Sequence, residues 1–230
     1  MSLLQPDDLT AVLLSLKVAG VATLAGLPVA LIVAYALARG RFPGRALLDA
    51  ATHLPLVLPP VATGFALLIL FGHRGVLGAA LEPLGIVFAF RWTGAALAAA
   101  IMAFPLLVRP IRLAIEAIDP EVDEAARTLG AGPIVRFFRL TVPLAGPGIA
   151  AGAVLGFAKA LGEFGATITF VAAIPGETLT LPTAIYQATQ SPGAETRALA
   201  LCAISAAIAI AAVLVSDTVS RRVVRRRETA

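Results

Sequence analysis

Asp119-Pro120-Glu121-Val122-Asp123-Glu124-Ala125-Ala126-Arg127-Thr128-Leu129-Gly130 reads as a short helix whose two ends are both specified by its own residues. The Asp119 side chain can accept from the free N–H groups of a first turn, and Pro120 suits the first helical position, where no donor is needed. The early carboxylates sit near the positive end of the helix dipole, and Gly130 can take the left-handed conformation that stops a helix. The spacing predicts a helix over about residues 120–129, and ten helical residues span about 15 Å. Such a helix is too polar on one side to cross lipid and long enough to dock into a groove on another protein.

Working outward, the flanks are apolar, and so is most of the chain. Of 230 residues 59% are hydrophobic and 14% charged, with a mean hydropathy of +0.91. Soluble chains run at about 45–50% apolar and about 25% charged, so the solvent for this surface is lipid. A lone Cys202 excludes a disulfide scaffold. About 20 mostly apolar residues cross a bilayer. Five stretches meet that length: Leu9 to Leu37, His53 to Phe71, Thr93 to Ile111, Val142 to Leu161 and Arg197 to Val215. Gly162 to Pro175 is apolar but too short to cross and return, and reads as a re-entrant or short helical segment, which leaves five or six spans. Non-helical backbone at that depth is tolerated where it is buried in protein or lines a watery cavity. The chain is treated as a single transmembrane domain over residues 1–230.

The formal charge of +4 raises nucleic acid as a partner, but the basic residues argue for a membrane. They gather at Arg39, Arg41 and Arg45, from Arg109 to Arg139, and in a tail of Arg221, Arg222, Arg225, Arg226 and Arg227, each group at the end of an apolar run. Only Arg74, Arg91 and Arg197 fall on the other side. Retention of Arg on the cytoplasmic side then places the N-terminus outside and the C-terminus in the cytoplasm. An N-terminus with Asp7 and Asp8 and no early Lys or Arg lacks the pattern of a cleaved signal peptide. Phe88, Phe90 and Trp92 mark the outer interface.

Within the spans, Pro55, Pro59, Pro60 and Gly64 predict a kinked second helix, of the kind that either aids packing or borders a transport cavity. Gly148, Gly152 and Gly156 recur every four residues, the spacing that lets helix backbones approach closely. Lys159 and Glu163 lie four apart on one predicted helix face near its outer end, where they can pair structurally or serve an outer gate. Lys17 is placed to snorkel. Thr167 and Thr169 offer hydroxyls either to a tetrahedral oxyanion or to their own helix backbone. His53 and His73 look interfacial and form no metal-site spacing with Cys202.

Glu124-Ala125-Ala126, Gly130 and then Leu140-Thr141-Val142-Pro143 resemble the signature of the permease subunits of ABC importers: E-A-A, three residues, Gly, nine residues, Ile-x-Leu-Pro. Leu140 and Val142 stand where that signature has Ile and Leu. Leu54 to Val61 with Gly72 to Gly75, Gly162 to Phe170, Ile174-Pro175-Gly176-Glu177-Thr178, Leu181-Pro182 and Ala184-Ile185-Tyr186 are similar to the molybdate permeases in particular, with sulfate and thiosulfate permeases as nearest relatives. The resemblance implies an all-α polytopic membrane protein with the ABC importer permease (MetI-like) fold. It also implies that the 120–129 helix is the coupling helix fitting a cleft of the ATPase subunit, with Glu121, Glu124, Ala125, Ala126, Arg127 and Gly130 as its contact residues. Pro59, Pro60, Lys159, Glu163, Thr167 and Thr169 are the candidates for the pathway or gate. The implied assembly is a homodimer in the cytoplasmic (inner) membrane with two cytoplasmic ABC ATPase subunits and an extracytoplasmic oxyanion-binding protein. No cofactor is expected in this chain, ATP and Mg being bound by the ATPase.

No G-x-x-x-x-G-K-[ST] loop occurs, so the power must come from such a partner. An intramembrane hydrolase would need a nucleophile with its base, or H-E-x-x-H, in the spans, and neither is present. An ion-coupled secondary transporter would need paired intramembrane carboxylates, where only Glu163 qualifies, and would leave the 120–129 helix without a purpose. The mechanism implied is alternating access driven by the ATPase subunits.

Overall fold

The computed structural model describes residues 5–228, with side chains in the last helix described through Ala211 and at Leu214; the side chains of the arginine tail fall outside this range. In order, the helices are α1 (Pro6–Arg39), α2 (Arg45–Val57), α3 (Pro60–Phe71), α4 (Val76–Leu81), α5 (Trp92–Glu116), α6 (Pro120–Thr128), α7 (Pro133–Arg136), α8 (Val142–Leu144), α9 (Gly146–Leu161), α10 (Gly165–Val171), α11 (Leu181–Thr189) and α12 (Glu195–Glu228), and no strand occurs among the described residues.

α1 and α5 are each long and apolar enough to cross a membrane alone, as expected for the first and third spans. The second and fourth spans correct the sequence expectation. His53 to Phe71 is not one kinked helix: α2 begins at Arg45, and α2 and α3 meet at 114°. Leu58 (ψ 142°) and Pro59 (ψ 131°) are both extended. A residue before proline is pushed out of the helical region, and here that applies to Leu58 before Pro59 and to Pro59 before Pro60. The fourth span starts well before Val142, as the pair Pro133–Leu144 and Gly146–Leu161 bent by 69°. Pro147 lacks the N–H that would continue the helical ladder through this bend.

Small side chains build the interior. α1, α5 and α9 pack together through Ala19, Ala22, Ala95, Ala98, Ala99, Ala103 and Ala160 in one cluster, and through Ala30, Ala34, Leu107, Ile111 and Ala145 in a second. Gly148, Gly152 and Gly156 are buried against α5: an added Cβ at Gly152 would lie 2.7 Å from the Leu107 carbonyl oxygen, and one at Gly148 2.6 Å from that of Pro110. In lipid, where no hydrophobic force drives helices together, such close approach supplies the dispersion contacts that hold them.

α11 and α12 are fastened to the start of α1. Asp8 is buried, and its carboxylate accepts from Arg197 Nε (3.1 Å to each oxygen) and Nη2 (2.6 Å), while Ser15 Oγ accepts from the Leu181 N–H at 2.6 Å. Lys17 lies over the Trp92 ring, 3.6 Å from its centroid, so its cation meets the aromatic residue expected at the outer interface.

Candidate functional site

Two regions hold the residues singled out by the sequence. The first is α6. Asp119 Oδ1 accepts from the Glu121 N–H at 2.9 Å, Pro120 is the first helical residue, and Gly130 has φ +81°. Beyond the helix end, the Ala131 N–H donates to the Ala126 carbonyl and the Gly130 N–H to the Arg127 carbonyl, both at 3.0 Å. These are the paired bonds of a Schellman stop, which needs the left-handed residue at position 130.

No residue of α6 is buried. Glu121, Glu124, Ala125 and Arg127 are exposed, and neither Glu121, Glu124 nor Arg127 forms an ion pair among the described residues. Beside them Leu129 is 88% exposed and Ile134 72%. Exposed large apolar side chains among unpaired charges make a surface suited to a protein partner rather than to lipid or water alone.

The structure adds two anchors that sequence periodicity did not reveal. Arg136 Nη1 donates to Asp123 Oδ2 at 2.5 Å, tying α7 to α6. Arg39, at the end of α1, donates from Nη2 to the carbonyls of Ile115 (3.2 Å) and Ile118 (2.8 Å), where α5 ends and the short link to α6 begins. A cation on the last carbonyls of a helix satisfies them and complements its dipole. α6 is thereby joined to α1, α5 and α7, so a push on it reaches the spans.

The second region lies around α10, the short helix expected within Gly162 to Pro175. α3 packs directly on it: an added Cβ at Gly64 would come within 2.4 Å of the Ala166 carbonyl oxygen, and one at Gly165 within 2.7 Å of Pro60 Cβ. The Pro59–Pro60 break therefore sits against the first residue of α10. Glu163 is buried and pairs with Lys159, and its other oxygen accepts from the Ala166 N–H at 2.9 Å. The expected pair forms, but not on one helix face: α9 ends at Leu161, and Glu163 lies in the turn between α9 and α10. One carboxylate thus neutralises a cation and satisfies a first-turn donor of the next helix.

Thr167 Oγ1 donates within its own turn, with the Glu163 and Phe164 carbonyls at 3.1 and 2.9 Å, and Thr169 Oγ1 donates to the Gly165 carbonyl at 2.9 Å. Of the two readings for these hydroxyls, this structure adopts backbone bonding, since each hydroxyl has a single proton. No group of His, Cys, Asp and Glu that could hold a metal occurs among the described residues.

The family described as binding-protein-dependent transport system inner membrane component matches residues 26–229. The molybdenum transport system permease protein ModB of Escherichia coli (strain K12) is 54% identical over 95% of this chain and 96% of its own length. The ModB of Haemophilus influenzae is 47% identical over the same shares. A protein named as a sulfate transport system permease, cysT of Chlorokybus atmophyticus, is 35% identical over 80% of this chain and 64% of its own. Among solved structures, a bacterial ABC transporter involved in the import of the acidic polysaccharide alginate superposes with a TM-score of 0.77 at 21% identity, covering 95% of this chain and 80% of that one. The MetNI methionine ABC transporter gives 0.72 at 18%, covering 94% and 95%. At these identities the superpositions establish the fold, that of ABC importer membrane subunits. With a family match over most of its length and more than half of its aligned residues shared with the Escherichia coli relative, the chain belongs to the binding-protein-dependent transport system inner membrane components.

Proposed function

We propose that two copies of this chain form the path by which molybdate, or the similar oxyanion tungstate, moves inward across the inner membrane, driven by ATP hydrolysis on two separate ATPase subunits. The observation that carries the cargo is the 54% identity, over nearly the whole chain, to a molybdenum transport permease. Sulfate is the second reading, favoured by the 35% identity to a sulfate permease.

The ATPase contact is α6, through Glu121, Glu124, Ala125, Ala126 and Arg127, with Gly130 setting its end. Support for this comes from its exposure, its unpaired charges and its anchoring to α5 and α7. The gate is the Pro59–Pro60 break with α10, held by Lys159 and Glu163. Thr167 and Thr169 shape α10 within that gate. ATP and Mg belong to the ATPase, and an extracytoplasmic oxyanion-binding protein delivers the ion. Arg39, Arg41, Arg45, Arg112 and Arg136 lie toward the α6 end of the chain, which supports a cytoplasmic α6 and C-terminus and an outer N-terminus. The exposed stripe Val61, Phe65 and Ile69 on α3 supports a two-fold dimer with α3 facing the axis. The closing of the ATPase pair would draw the two α6 helices together and turn the cavity outward; such coupling requires that the ATPase states bind the two permease states with different affinity.

The test is ATPase activity of the reconstituted complex with its binding protein, compared across molybdate, tungstate and sulfate. Stimulation by molybdate or tungstate and not by sulfate is expected. A response to sulfate alone would reassign the cargo.

A further inference from the structure

At the α6 end of the chain a cavity of about 520 Å3 opens between α2 and α5. Asp49 and His53 line it from α2, and Arg109, Arg112 and Glu116 from α5, at the three- and four-residue spacings that set side chains on one helix face. α3 and α10 cover the other half of α5, where Leu67, Ala166, Phe170 and Val171 pack with Ala95 to Ala103. The cavity therefore begins where the cover of the broken-helix gate ends. Arg109 lies seven residues before Glu116, about 10 Å along the helix from its end.

The two guanidinium groups are in different states. Arg112 Nη1 donates to both oxygens of Asp49 at 3.0 Å, and its Nε to Glu116 Oε1 at 2.8 Å. Asp49 also faces His53, whose Nδ1 lies 3.3 Å from Oδ1. Both cavity carboxylates are thus committed to Arg112, and Arg109 pairs with no carboxylate among the described residues. A cation at this depth is stable only where water or an anion meets it. Beyond alanine, the walls offer an acyl chain only Val108 and Leu113. That favours a small free anion over a phospholipid.

We propose that this cavity is a low-affinity exit station for the transported tetrahedral oxyanion, with Arg109 as its binding cation; the proposal rests on the reading of the chain as an oxyanion permease. Asp49 and Glu116 fix Arg112 and temper the positive potential, so the ion is drawn out of the gate and still released. A path needs sites strong enough to enter and weak enough to leave.

The experiment uses the permease with its ATPase in neutral-lipid nanodiscs, without the binding protein, and measures radiolabelled molybdate by equilibrium dialysis at millimolar concentration. Weak saturable binding is expected. Arg109→Gln should weaken it about tenfold, the effect of losing one charge-assisted contact, while Arg109→Lys keeps most of it. In proteoliposomes Arg109→Gln should slow ATP-driven uptake several-fold while binding-protein-stimulated ATP hydrolysis persists. Unchanged binding and uptake in Arg109→Gln, beside a wild type that transports molybdate, would overturn the station and leave the permease reading intact. Displacement of molybdate by added phosphatidylglycerol, with Arg109→Gln weakening lipid binding instead, would assign the cavity to a lipid phosphate and also overturn it. A wild type that takes up no oxyanion would overturn the permease reading, and the station with it.

Discussion

Gly130→Pro is expected to abolish ATP-coupled transport while leaving the chain in the membrane. Position 130 has φ +81°, whereas proline is fixed near −65°. The substitution also removes the N–H that donates to the Arg127 carbonyl, and it forces Leu129, now at ψ 6°, toward extended backbone. The Schellman stop of α6 cannot form, at a local cost of about 3 kcal/mol by the usual penalty for a misplaced proline. That cost falls on an exposed nine-residue helix and its link to α7, away from the buried clusters between α1, α5 and α9. Insertion and dimer assembly should survive, while the surface offered to the ATPase loses its shape. Glu124→Lys separates surface chemistry from helix geometry, because Glu124 is exposed and unpaired among the described residues. It should leave α6 folded and reduce transport per ATP about tenfold, as reversal of a charge in a protein interface does.

Glu163→Ala is expected to be the most destabilising single change in the gate, by about 3 kcal/mol, the usual scale for breaking a buried ion pair from one side. It strips Lys159 of its partner and leaves the Ala166 N–H without an acceptor at the start of α10. Loss of that cap loosens α10 from Gly64 and Pro60, so transport falls together with the thermal midpoint of the detergent-solubilised protein. Glu163→Gln keeps an oxygen for the Ala166 N–H and should cost less. Lys159→Met alone leaves a buried carboxylate unpaired, and the double change Lys159→Met with Glu163→Gln should recover part of the loss. A midpoint that does not move in Glu163→Ala would contradict this role.

The boundaries of α6 were legible in the sequence because they depend on local chemistry: an oxygen that caps, a proline that needs no donor, a glycine that turns left-handed. The glycine face of α9 was legible for the same reason, as a fixed spacing along one helix. The second span was misread as kinked because each proline was taken singly. Two in succession hold Leu58 and Pro59 extended, and a helix cannot continue through extended backbone. Lys159 and Glu163 were read from helical spacing that ends two residues too early, at Leu161. Pairs joined only by the tertiary fold left no periodic trace: Asp8 with Arg197, Asp49 with Arg112, and Arg39 with the carbonyls that end α5. Each of these arginines looked, in sequence, like a marker of membrane sidedness. The structure gives them a second task, holding the helix ends that join α6 to the spans.

The most direct test of α6 as the link between ATP and oxyanion movement is the number of molybdate ions taken up per ATP hydrolysed. It is measured in proteoliposomes containing the dimer, its ATPase and its binding protein, for wild type and Gly130→Pro side by side. The expected result is ATP-dependent accumulation in wild type and continued hydrolysis without accumulation in Gly130→Pro. An unchanged ratio in the variant, or wild-type accumulation driven by an ion gradient in the absence of ATP, would contradict it.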